Sequence, residues 1–403
     1  MSFQQGLSGL NAAAKNLDVI GNNISNSNTI GYKGSEAQFS DVFASSAGGS
    51  SGTSVGIGTA VSAVRQTFGQ GNISVTSNPL DLAINGSGFF RMDTNGSVTY
   101  TRNGQFSLDK SGYIVNAAGQ NVTGFPATPG GTVTTATPVK LQVSAADLVP
   151  LASTQATAGV NMDSRVTALP SAGFNINDPA TYHGATSMSV YDSLGNSHIM
   201  SLYFVKTAAN SWDAFAGSNG TQVGTGAVGS LTFTTGGALS SGSPFALTLP
   251  VTTGAAPISI SLDMNGTTQF GSNFGVNTLS QDGYAAGKIT GYSVGSDGIV
   301  QGRYSNGQTR AQGQVALVSF TNPQGLRSLG ANQWGEAPDS GPALTGAPNT
   351  GNLGVLHSGA LEDSNVDLTA ELVDMITAQR VYQANAQTIK TQDSVLQTLV
   401  NLR

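Results

Sequence analysis

Cysteine is absent from this chain, and with it go disulfides, thiolate nucleophiles and cysteine metal sites. Charge is scarce as well: Asp, Glu, Lys and Arg supply 9% of the residues, against roughly a quarter in an average globular protein. No glutamate lies between Glu36 and Glu336, which removes the closing ligand of an EF-hand and the acid–nucleophile pair of a Glu-dependent glycosidase from that whole stretch. His183, His198 and His357 stand too far apart for a metal-ligand motif. The 16 basic residues are scattered singly under a net charge of −6, so no cationic surface for nucleic acid is expected. No apolar run approaches the ~20 residues that span a bilayer. The opening Met1-Ser-Phe-Gln-Gln5 lacks the basic and apolar regions of a secretory signal, so export, if it occurs, is expected to need no cleaved peptide. What fills the chain is glycine, at 53 of 403 positions, with serine, threonine and asparagine, so solubility rests on hydroxyls and amides.

Only the two ends have helical periodicity. Phe3, Leu7, Leu10, Ala14 and Leu17 alternate steps of four and three, and Ile24 continues the stripe. Leu368, Leu372, Met375, Tyr382, Ala386, Ile389, Leu396 and Val400 repeat likewise, with Gln379 and Asp393 interrupting. Steps of about 3.5 residues set one helix stripe against another helix. A stripe this imperfect gains most from many neighbours, which predicts a subunit that polymerises through these residues. Ser2 with Gln5 matches a capping box, and Gly21 weakens the first helix. The second helix is expected to start near Val366, capped by Ser364 or Asp367. Acidic residues crowd its start, while Arg380, Lys390 and Arg403 follow, both favourable to the helix dipole.

Between the ends the period is two. Residues 45–54 read as a Ser/Gly linker. From about residue 71, turn pairs at Asn85-Gly86, Asn95-Gly96, Asn103-Gly104, Ser111-Gly112 and Ala118-Gly119 imply short antiparallel strands. Ser187–Tyr191, Asp192–Gly195 and His198–Val205 form the clearest hairpin. The fold expected is mixed and mainly β: terminal N- and C-helices in a coiled-coil-like inner domain, with two nested antiparallel β domains. The helical domain takes 1–30 and 362–403, and a flexible linker or extended segment takes 31–70. An inner β domain takes 71–144 with 285–361, and an outer β domain 145–284.

Catalytic patterns fail one by one. Asp192, Ser193 and His198 have the residue types of a hydrolase triad but share one hairpin, and the serine lacks a Gly-x-Ser-x-Gly elbow. Asp93–Gly96 and Asp263–Gly266 begin like calcium loops yet read better as β-turns. Gly56-Ile-Gly58 is a broken dinucleotide fingerprint without a βαβ unit. The chain is read as non-enzymatic, with no catalytic, cofactor or metal residues. A secreted adhesin or carbohydrate-active protein would want an acidic pair in a groove or a short solenoid repeat, and neither is found. A membrane-anchoring helix would want basic residues, and 1–28 holds only Lys15.

Leu17-Asp-Val-Ile-Gly-Asn-Asn-Ile-Ser-Asn-Ser-Asn-Thr-Ile-Gly-Tyr-Lys33 resembles the N-terminal signature of the axial proteins of the bacterial flagellum, the rod and hook subunits, with Asn23, Asn26, Thr29, Gly31, Tyr32 and Lys33 as signature positions. Leu82–Phe90, Tyr100–Asp109 and the C-terminal Ser364–Arg380 and Thr398–Arg403 are similar to that family's further blocks. Length and the Val190–His198 hairpin favour the hook branch, with a distal rod subunit as the alternative. The resemblance implies a helical inner domain lining a channel, an inner β domain, and an outer one on the surface of a hollow, curved, flexible tube. That tube would act as a universal joint passing motor torque to the filament. Implied partners are copies of itself in a helical homopolymer, a distal rod protein, a hook cap or scaffold protein and a hook–filament junction protein. The flagellar type III export machinery and a hook-length control protein complete the set. Nucleic acid, membrane insertion and cofactors are not implied. Some members cross-link through a cysteine, which this chain cannot do.

Overall fold

The computed structural model describes residues 2–42, 56–135 and 137–401, and the linker expected at 45–54 lies outside the described residues. Helix α1 (Ser2–Ser25) continues through Gly21. Gln5, expected to complete a capping box with Ser2, instead donates its side-chain amide to the Gly56 carbonyl (2.6 Å). Within 31–70, two described stretches are extended and paired. Strand β1 (Ser35–Val42) pairs antiparallel with β2 (Gly58–Gln66), with Ser35 opposite Gln66 and Val42 opposite Gly58. Of the linker and extended readings of this stretch, these strands agree with the extended one: Phe39, Val42, Val61 and Val64 favour a pleated ribbon, and pairing satisfies both backbones. Helix α2 (Leu368–Asn401) begins two residues later than Val366. The Asp367 carboxylate caps it, accepting the N–H groups of Thr369 (2.8 Å) and Ala370 (3.2 Å).

The chain clusters into two compact units, one of residues 1–145, 291–303 and 309–403, the other of 146–290 and 304–308. In the first unit, early and late parts of the chain interlock. Strand Ile73–Val75 pairs with Ala360–Glu362, and Leu82–Asn85 pairs with Val355–Ser358. Strands Phe89–Thr94 and Ser97–Thr101 form a hairpin on the Asn95-Gly96 turn. Both turn residues have positive φ (51° and 92°), the geometry that Asn-Gly tolerates and that matches strand twist. The core here is aromatic: Phe89, Tyr100, Phe320 and Trp334 meet edge to face, joined by Phe68. Trp334 Nε1 donates to Gln66 Oε1 (2.6 Å), tying the root of the ribbon to this core.

The second unit packs a six-stranded antiparallel sheet with a five-stranded one around Trp212, Met200, Phe204, Leu231 and Ile260. Tyr191 lies opposite Ser197 across the expected hairpin. The second sheet differs from an all-antiparallel expectation. Strand Gln155–Asp163 runs parallel to Ile258–Asp263 and Thr268–Phe270. A parallel pair needs a long crossover, and the whole six-stranded sheet is built in the interval between those strands. Leu148 bridges Gly287 and Leu151 bridges Tyr284, so this unit's outgoing and returning chains run side by side.

Candidate assembly interface

Helices α1 and α2 lie antiparallel and dock on each other within one chain. A Cβ on Gly6 would stand 3.1 Å from Ile389, and one on Gly9 would stand 2.8 Å from the Asn385 side chain. At the other end Asn23 Nδ2 donates to Glu371 Oε1 (2.8 Å). The face of α1 turned to α2 is therefore Gly6, Gly9 and Asn23, with Ala13 and Ile20 buried on the same side. This face sits about 100°, one residue, away from the Phe3–Leu7–Leu10–Leu17–Ile24 stripe. Glycine and alanine win the contact because small side chains let the two backbones approach closely, which a leucine stripe would prevent.

The larger apolar residues consequently stay outside the pair. Phe3 is 47% and Leu7 43% exposed, whereas Leu10, Leu17 and Ile24 are half-buried. On α2, Ile389 is half-buried beside α1 and Met375 is half-buried, while Leu368, Leu372, Tyr382, Leu396 and Val400 are exposed, as are Val373, Ile376, Val381 and Val395. A solitary helix pair offering this many large hydrophobic side chains to water has a surface suited to further helices.

Behind the pair lies a polar clasp. Asn23 also donates to the Ser35 carbonyl (2.8 Å) and accepts the Ser35 N–H (2.9 Å), and the Tyr32 hydroxyl donates to Asn22 (2.7 Å). Asn26 and Thr29 close the turn after α1, the Thr29 hydroxyl donating to Asn26 Oδ1 (3.3 Å). Glycine suits position 31 twice over: its φ is left-handed at 68°, and a Cβ there would strike the backbone of Asn103 at 2.6 Å; the Gly31 N–H donates to the Glu362 carbonyl (2.7 Å). Lys33, fully buried, donates to Glu362 Oε1 (2.6 Å) and to the Gly69 carbonyl (2.8 Å). Arg102 donates to Glu362 Oε2 (3.0 Å) and to the Gly86 carbonyl (2.9 Å), and its guanidinium lies 5.3 Å from the Phe89 ring centre. One buried carboxylate thus holds two buried cations, with the Gly71 N–H as a further donor (3.0 Å). Burial pulls the Lys33 amine and the Arg102 guanidinium below their ordinary pKa ranges, while Glu362 opposes that shift. Neither Glu362 nor Arg102 was singled out as a site from sequence, since Glu362 read only as one of several acidic residues ahead of a helix.

The residues weighed for catalysis have structural partners. Asp192 is buried in its turn, accepting from the Leu194 and Asn196 N–H groups (2.9 Å each), Thr253 (2.6 Å) and His198 Nε2 (3.1 Å). Ser193 is exposed. Asp93 and Asp263 accept backbone N–H groups of their own turns. Among the described residues no group of three His, Asp or Glu side chains could hold a metal, and no helix is long and apolar enough to cross a membrane.

Comparison with known proteins gives matches along most of the chain. Residues 3–33 match the family described as flagella basal body rod protein, and 83–180 match the flagellar hook protein FlgE/F/G D1 domain. Residues 161–284 match the flagellar basal body protein FlaE D2 domain, and 357–402 match the flagellar basal body rod FlgEFG protein C-terminal family. The chain is 44% identical to the flagellar hook protein FlgE of Salmonella typhimurium (strain LT2), over 100% of both chains. It is likewise 44% identical to that of Escherichia coli (strain K12) over 100% of both, and 34% identical to that of Rhizobium meliloti over 100% of this chain and 98% of the relative. A crystal structure of Helicobacter pylori flagellar hook protein FlgE2 shares the fold, with a TM-score of 0.56 at 15% identity, over 72% of this chain and 100% of that one.

Proposed function

This chain belongs to the flagellar hook protein family and is a structural, non-enzymatic subunit that polymerises with itself in the flagellum; from that premise we propose how it builds and bends its polymer. The helical domain of 1–30 and 362–403 packs against its counterparts to form the wall of a hollow channel. Contacts between copies run through Phe3, Leu7, Leu10, Leu17, Ile24, Leu368, Leu372, Met375, Tyr382, Leu396 and Val400, whereas Ile389, expected from spacing in the same interface, packs over Gly6 of its own chain. The single observation carrying this reading is the outward position of large apolar residues on both helices of one chain, Leu7 and Leu372 among them. Full burial of such a side chain is worth about 1.5–3 kcal/mol, and roughly half of that remains to be gained where, as at Leu7 and Leu372, under half of the residue is still exposed. A head-to-tail contact repeated without closing a ring makes a helical tube.

The β domains, 71–144 with 285–361 and 145–284, form the tube's outer layers in this reading, which the split into two compact units supports. Their hydroxyl- and amide-rich surfaces make weakly committed contacts that slide as the tube bends and passes torque to the filament. Ends of the tube meet a distal rod protein and a hook–filament junction protein. A cap protein and a length-control protein attend growth, and subunits arrive through type III export.

Deleting residues 366–403 tests the reading. The truncated chain is expected to keep its β domains folded by circular dichroism and to form no tubes by negative-stain microscopy. Tubes of the truncated chain would refute the helical wall.

A further inference from the structure

Helix α2 outruns its partner. Gly6 of α1 stands beside Ile389, so in this antiparallel pair α1 begins near residue 393, and residues 394–401 of α2 continue about 12 Å beyond it at 1.5 Å per residue. This overhang carries Val395, Leu396 and Val400, which are 52%, 55% and 74% exposed. Phe3 and Leu7 are exposed at the same end. Several of its polar side chains bond within the helix. Ser394 donates to the Lys390 carbonyl (2.8 Å), Thr398 to the Ser394 carbonyl (2.8 Å), and Gln397 to Asp393 (3.0 Å). Burying the Ser394 and Thr398 hydroxyls therefore orphans neither donor.

Toward the opposite end of the pair lies a groove of about 840 Å³ between α1, α2 and the β-ribbon. Its walls include Ala12, Val19, Ile20, Ala37, Ala378 and Val381, and Glu36 and Asp374 stand among its polar residues. An apolar projection at one end and a partly apolar groove toward the other make a heterologous contact, which propagates head to tail and does not close. We propose that the α2 overhang of one copy, led by Leu396 and Val400, docks in the α1–α2–ribbon groove of the next copy. The occupant is a second copy because self-polymerisation is the family's property and the projection is carried by the same chain as the groove. The inference rests on the helical-wall reading above and adds which surfaces of the two helices meet.

The absence of cysteine makes the test direct. Val381→Cys combined with Val400→Cys places thiols 19 residues apart on one helix, about 28 Å. A disulfide needs Cα atoms within about 7 Å, so any bond must join two copies. Oxidised polymers of this variant, and of Thr377→Cys with Leu396→Cys, are expected to give a ladder beyond dimers on denaturing gels. Each single variant is expected to stop at dimers, and Ile376→Cys with Leu396→Cys, whose first site lies outside the groove, is expected to give no ladder. Normal polymers without a ladder from either groove pair overturn the docking while leaving the helical wall standing. Should the cysteine pairs hinder assembly, a chain lacking 394–403 decides the matter. Loss of polymerisation with α1–α2 helicity retained supports the docking, and assembly at the wild-type critical concentration overturns it. A full-length chain that forms no tubes at all would instead overturn the wall reading.

Discussion

Glu362 is a single carboxylate facing Lys33 and Arg102 in a dry interior, and its removal would leave two buried cations without an anion. Breaking a buried pair from one side costs about 3–5 kcal/mol, and Glu362→Gln is expected to reduce unfolding stability by about that amount in urea titrations. Lys33→Met leaves Arg102 and Glu362 as a one-to-one pair and should cost less. An equal or larger loss for Lys33→Met would contradict the hub. Asp192 offers a pH test in the other unit. Burial alone would raise its pKa, but hydrogen bonds from Thr253, His198 and Asn196 outweigh burial and hold the carboxyl well below the usual range. A depressed folded-state pKa means that the stability is present above the unfolded value, about 3.9, and is lost as pH falls through the folded one. Thermal unfolding of Asp192→Asn is therefore expected at lower temperature at neutral pH, with a flatter dependence on acid below pH 4. An unchanged acid dependence would show that Asp192 is not the group responsible.

Among the elements, α1 and α2 each divide their faces between two tasks. Ile389 packs over Gly6 inside the chain, whereas Leu372 points away. Ile389→Asp buries an unpaired carboxylate in the pair, at a cost on the order of 3 kcal/mol, and is expected to lose helicity in the unassembled subunit. Leu372→Asp should leave that helicity intact and stop tube formation. Far-UV circular dichroism of the monomer followed by sedimentation of polymer distinguishes them, and identical behaviour would contradict the division of faces. The stripes were legible from spacing, yet the intramolecular face was not. Hydrophobic periodicity marks where large side chains recur, while helix contact at close range selects Gly6, Gly9 and Ala13, whose small size leaves no hydrophobic signal. The ribbon was missed for a related reason: β1 and β2 are separated by the glycine-rich stretch, and composition there outweighed the pairing potential of Phe39 and Val61.

For the whole molecule, the chain leaves one unit near residue 145 and returns near 291, and the second unit's outgoing and returning strands are already bridged at Leu148–Gly287. Replacing residues 149–286 with a two-residue turn should leave the first unit folded, with Trp334 as the remaining tryptophan reporter. Its fluorescence is expected to stay that of a buried indole and the shortened chain to polymerise. Exposure of Trp334 would show that the first unit depends on the second for its fold.

From residue order alone came the helices at both ends, the Asn95-Gly96 and Asp192–Gly195 hairpins and the lack of any catalytic constellation, because these depend on neighbours a few positions apart and on turn chemistry. Three-dimensional packing decided that Glu362 reaches Lys33 across 329 positions of chain, that Asn23 reaches Glu371 across 348, and that small residues rather than leucines join the two helices. Such partners are chosen by the geometry of closing the fold, in which burial forces each charge to find an opposite one and each close backbone contact to find a glycine, and neither demand leaves a periodic trace along the chain.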